Sequence, residues 1–90
     1  MISLNTTIHL LKKLDVTELN GEKVTIDFET GKYYLLSGSG NEIWDYIQED
    51  ITVSEIIDRL QQVYDVDFET CKKSVIEFLS NLEKNHIIRI

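Results

Sequence analysis

The change of hydrophobic period at Gly38-Ser39-Gly40 restricts the fold more than any other feature of this chain. Before it, Val24, Ile26 and Phe28 alternate with Thr25, Asp27 and Glu29, the period of two expected of a half-buried strand. After it, apolar residues recur at helical spacing as far as Leu82. One element cannot satisfy both periods, so strands come first and helices second, the pattern of an α+β domain.

Asn20-Gly21 suits both left-handed positions of a tight hairpin turn, and Thr30-Gly31 supplies a second turn. Three consecutive strands follow as an antiparallel meander across about residues 7–37. The first lies somewhere in residues 7–18 and the third is Lys32 to Ser37. That third strand differs from the second, because Tyr33, Tyr34, Leu35 and Leu36 make it apolar on both faces. Alternation sends one tyrosine inward and the other outward, and such an edge is a liability unless something covers it.

Three helices follow across about residues 39–85. Ser39 and Glu42 read as a capping box before Ile43, Trp44 and Ile47. Thr52 and Glu55 repeat the signal before Val53, Ile56, Ile57, Leu60, Val63 and Tyr64. Asp67 caps a last helix carrying Phe68, Cys71, Val75, Phe78, Leu79 and Leu82, which ends near Asn85 before the apolar tail Ile87, Ile88 and Ile90. The expectation is one domain over residues 1–90, a three-stranded meander followed by three helices in a winged helix-turn-helix-like arrangement.

At 90 residues the chain can bury only one small core. Cys71 is its one cysteine, so no internal disulfide can form, and a reducing, cytoplasmic setting is expected. No apolar run approaches the roughly 18 residues of a membrane span. The net charge of −7 disfavours wholesale nucleic-acid binding. The charge is uneven, however: residues 39–70 hold nine acids against Arg59, whereas residues 71–90 hold Lys72, Lys73, Lys84 and Arg89 against Glu77 and Glu83.

Catalytic equipment is not evident. Gly38-Ser39-Gly40 lies where a phosphate loop would, but Ile43 stands at the third fingerprint glycine, the Walker lysine is missing and Glu42 is negative. Cys71 falls on an apolar helical stripe and reads as packing. His9 and His86 lie at opposite ends of the chain without clustered partners, so no metal site or cofactor is expected. The carboxylates spread over helix faces as solvation, and Trp44 reads as core.

The runs "IDFETGKYYLLSGSGNEIWDYI" and "TVSEIIDRLQQVYDVDFETCKKSVIEFLSNLEKNHII" resemble the PqqD family, also described as the RiPP recognition element, over about residues 18–90. The resemblance implies a winged-helix-like domain that binds the leader segment of a ribosomally made precursor peptide. The leader would add as a strand along Tyr33, Tyr34, Leu35, Leu36 and Ser37. The last helix would form the other wall through Cys71, Lys72, Val75 and Phe78, some of which must serve the core, and Lys32, Lys72 and Lys73 would steer an acidic leader. Two positions depart from the family pattern: Ser37 stands where asparagine is frequent, and Ser74 near a frequent aspartate.

On this reading the chain is a non-catalytic adaptor, monomeric or weakly dimeric, that has no membrane or nucleic-acid partner. It would serve a separate leader protease, cyclase or radical-SAM maturase, with lasso-type maturation slightly favoured. The alternative from another class is a winged-helix DNA-binding regulator, against which the acidic second helix argues.

Overall fold

The computed structural model describes residues 2–90. Nine elements run in the order β1 (Thr7–Leu10), β2 (Val16–Leu19), β3 (Glu22–Asp27), β4 (Lys32–Leu35), α1 (Ser39–Tyr46), β5 (Ile51–Thr52), α2 (Val53–Val63), α3 (Phe68–Lys84) and β6 (Ile88–Arg89). They confirm the α+β class, with a three-stranded antiparallel meander β2-β3-β4 and three helices.

The segment expected to hold one strand holds two. Val16–Leu19 is the first strand of the meander, while Thr7–Leu10 is the centre of a second small sheet, β5-β1-β6. The C-terminal tail thus completes that sheet, pairing Ile88 with Leu10 and Arg89 with His9. Apolar burial explains the choice: Ile8, Ile87 and Ile88 are at most 2% exposed, and each such side chain contributes about 1.5–3 kcal/mol when taken from water.

The meander turns as its glycines require. Asn20 and Gly21 adopt φ of 54° and 82°, the left-handed pair of a tight hairpin. The facing of β3 departs from simple alternation. Thr25 and Asp27 lie on the core side and are 0% and 1% exposed, whereas Phe28 is 87% exposed in the turn that follows the strand. Both buried polar groups are satisfied: the Thr25 hydroxyl donates to the Asp15 carbonyl at 3.1 Å, and Asp27 accepts from Lys12 Nζ at 2.9 Å and the Glu29 backbone N–H at 3.0 Å. A partner reaching in from the β1–β2 connection therefore overrode the hydrophobic pattern. Val24 is buried on the opposite face, outside the main core cluster.

The helix starts follow the sequence in two cases of three. Thr52 Oγ1 accepts from the Glu55 N–H at 3.2 Å, and Asp67 Oδ2 accepts from the Thr70 N–H at 3.0 Å. The expected Ser39 cap is not made. Gly38, at φ 56°, takes the cap position without a side-chain bond, so Ser39 is already helical. Glu42 is then free to accept from the Tyr64 hydroxyl at 2.9 Å, tying α1 to the end of α2. The main core comes from all three helices, with Ile43, Trp44, Ile56, Leu60, Val75 and Leu79 packing beneath Tyr34 and Leu36 of the meander.

Candidate functional site

β4 pairs with β3 on one side only, which leaves the other side of the strand unpaired. Its register places Tyr34 opposite Thr25 and Tyr33 opposite Ile26. Because the Leu36 N–H donates to the Lys23 carbonyl at 2.9 Å, the two-residue repeat turns the Tyr34 and Lys32 amides toward β3. The backbone groups of Tyr33 and Leu35 therefore face the open edge, whereas beyond the strand the Ser37 carbonyl accepts from the Gly40 N–H at 3.1 Å. Side chains alternate on the other axis: Tyr34 and Leu36 are 7% and 3% exposed in the core, while Tyr33 and Leu35 are 69% and 45% exposed.

α3 runs antiparallel along this edge. Cys71, Ser74, Phe78, Asn81 and Asn85 recur at spacings of three and four, one stripe of a helix. Contacts place the Asn81–Asn85 end of that stripe against β4 and the remainder against α1 and the end of α2. Phe78 lies so close to α1 that a Cβ on Gly40 would meet its ring at 3.1 Å. Further along, Asn81 and Asn85 line an open cleft with Gly31, Lys32, Tyr33 and Tyr34, about 470 Å³ in volume. At the far end, Cys71 and Ser74 line a mostly apolar cavity of about 310 Å³ with Ser39, Leu60, Tyr64, Asp65 and Val66. The two sites share no lining residue: the polar cleft borders β4, whereas the cavity beside Cys71 is walled by α1, the end of α2 and α3.

The residues singled out from the sequence separate accordingly. Tyr33 and Tyr34 border the polar cleft, with Leu35 and Ser37 exposed along the strand and Leu36 turned into the core. Cys71 borders the apolar cavity and Phe78 sits between the two ends, half-buried. Val75 is fully buried among the core residues, and half-buried Lys72 borders neither cleft. Asn81, Asn85, Leu60, Tyr64 and Val66 were not singled out as groove residues. The three-four spacing from Cys71 to Asn85 was the available signal, obscured by the stronger apolar stripe through Val75, Leu79 and Leu82.

The electrostatics suit recognition better than acid–base or nucleophilic chemistry. Burial pushes the Cys71 thiol pKa up, with Asp67 adding to the shift, so the thiolate is disfavoured. The Lys12 hydrogen bond lowers the pKa of Asp27 and occupies the acid. Burial raises the pKa of Tyr34, and its hydroxyl is the one buried side-chain polar atom without a partner among the described residues. The same residues contain no group of three or more metal-ligating side chains. His9 Nδ1 instead lies 3.0 Å from Asp50. No helix among them is long and apolar enough to cross a membrane.

A sequence profile of the family described as coenzyme PQQ synthesis protein D (PqqD) matches residues 22–88. The chain belongs to the PqqD family. Comparison with curated proteins gives no match. Among solved structures, this PqqD-family chain is similar to the one described as TbiB1 in complex with the TbiA(beta) leader peptide. The TM-score is 0.74 and the identity 25%, covering 90% of this chain and 94% of that one. The resemblance read from the third strand and the helices is thereby borne out at the level of family and fold.

Proposed function

We propose that this chain is a non-catalytic adaptor, acting as one peptide-binding unit over residues 1–90. It takes up the leader segment of a ribosomally synthesised precursor peptide as an added strand on β4. The observation that carries the reading is the open β4 edge with the Asn81–Asn85 end of α3 beside it, in a fold similar to one solved with a leader peptide bound. Strand addition draws its affinity from main-chain hydrogen bonds, here those of Tyr33 and Leu35 and of the Ser37 N–H, and its sequence preference from pockets for alternate side chains. The apolar cavity beside Cys71 accepts one bulky side chain, and Phe78 packs against the guest between the two ends.

The bound leader is then presented to a separate modifying enzyme: a leader protease, a cyclase or a radical-SAM maturase. Lasso-peptide maturation is the pathway class favoured here. The test is a backbone NMR titration with the leader of a precursor encoded beside the gene. The amides of Tyr33, Leu35 and Ser37 shift first and gain protection from exchange, and a titration that moves only residues remote from β4 refutes the proposal.

A further inference from the structure

The polar cleft beside β4 has an unbalanced inventory of hydrogen-bonding groups. Lys32 Nζ donates to Asn85 Oδ1 at 2.8 Å, and Asn85 Nδ2 donates to the Asn81 backbone carbonyl at 2.8 Å and to Asn81 Oδ1 at 3.4 Å. Each amide oxygen thus already accepts one hydrogen bond. Among the side chains of the cleft the free capacity is chiefly donor, in the other N–H bonds of Lys32 and the Asn81 amide N–H groups. Lys32 has no carboxylate within ion-pair distance among the described residues, because its cross-strand neighbour Asp27 is bound to Lys12 at 2.9 Å. A cation held by a neutral amide, amid spare donors, matches an acceptor-only group.

Resting on the strand-addition reading, we infer that this cleft is a subsite for an aspartate or glutamate side chain of the bound peptide, with Lys32 as its charge partner. The subsite also sets a register. The centre of the Asn81–Asn85 pair lies about ten residues along α3 from that of Cys71–Ser74, roughly 16 Å at the helical rise. An extended peptide covers that distance in about five residues. Separations of four or six keep both side chains on one face of the strand, so the acid stands four or six residues from the bulky apolar residue that fills the cavity beside Cys71.

A library of random linear dodecapeptides displayed on phage, selected against the full chain, tests this without knowledge of the natural leader. Recovered peptides that shift the amides of residues 32–37 carry an acid at that spacing from a large apolar residue. Changing the acid to glutamine weakens binding about tenfold on the wild-type chain and has no effect on Lys32→Gln. Selection on Lys32→Glu recovers lysine or arginine at the same place. Peptides that shift residues 32–37 but show no acidic preference, or that lose equal affinity on Lys32→Gln, overturn the subsite and leave strand addition standing. Recovery of no peptide that touches residues 32–37 overturns both.

Discussion

Proline scanning along β4 separates the two sides of the strand. Leu35 turns its N–H to the open edge and its side chain is 45% exposed, so Leu35→Pro removes no rung of the β3–β4 ladder and little buried surface. A guest strand loses one hydrogen bond, worth about 0.5–1.5 kcal/mol net, and its carbonyl is left unpaired against the proline ring at about 1–3 kcal/mol. The sum, roughly 2–4 kcal/mol, corresponds to about 30- to 1,000-fold weaker leader binding. Tyr34→Pro has the opposite profile, since its N–H turns toward Thr25 and its side chain is 7% exposed in the core. Losing the rung and the buried ring together costs more than about 3 kcal/mol, a large part of the roughly 5–15 kcal/mol that holds a small domain folded. Circular dichroism melts and calorimetric titration of the leader peptide read the two effects separately. A folded Leu35→Pro chain that binds with unchanged affinity, or a Tyr34→Pro chain as stable as wild type, refutes the assignment of the open edge.

Three further outcomes follow from single groups. Tyr34→Phe removes a buried hydroxyl that lacks a partner, so chemical denaturation should show about 1 kcal/mol of added stability. His86 adopts φ 60° where α3 ends, with its N–H bonded to the Glu83 carbonyl and that of Ile87 to the Leu82 carbonyl; His86→Gly relieves the left-handed strain and raises stability by about 0.5–1 kcal/mol in the same assay. The Lys12–Asp27 pair predicts losses at both extremes of pH. The lowered Asp27 pKa stabilises the fold above the unfolded value near 4 and is lost as pH falls through the folded one. The raised Lys12 pKa stabilises it below the unfolded value near 10.4 and is lost as pH rises past that. Melting temperature against pH therefore drops more gently in Lys12→Met than in wild type at the acid end, and parallel curves count against the pair.

Local patterns carried most of the architecture. The switch of period at Gly38-Ser39-Gly40, the left-handed Asn20-Gly21 turn and the Thr52 and Asp67 caps depend on neighbours a few residues apart, so the order of the meander and the helices could be read directly. Trp44 likewise stands in the core, as its helical face implied. What needed the tertiary structure was set by distant partners. Lys12 and Asp15 reach the inner face of β3 and make Thr25 and Asp27 buried residues, leaving Phe28 outside. Positive φ at Gly38 displaced a cap that Ser39 and Glu42 had spelled out. The tail pairs with β1, because Ile87 and Ile88 find apolar cover there, and β4 keeps its free edge. Asn81 and Asn85 became groove residues only when α3 was laid antiparallel to β4, since a helix presents several stripes and packing alone decides which one meets the strand.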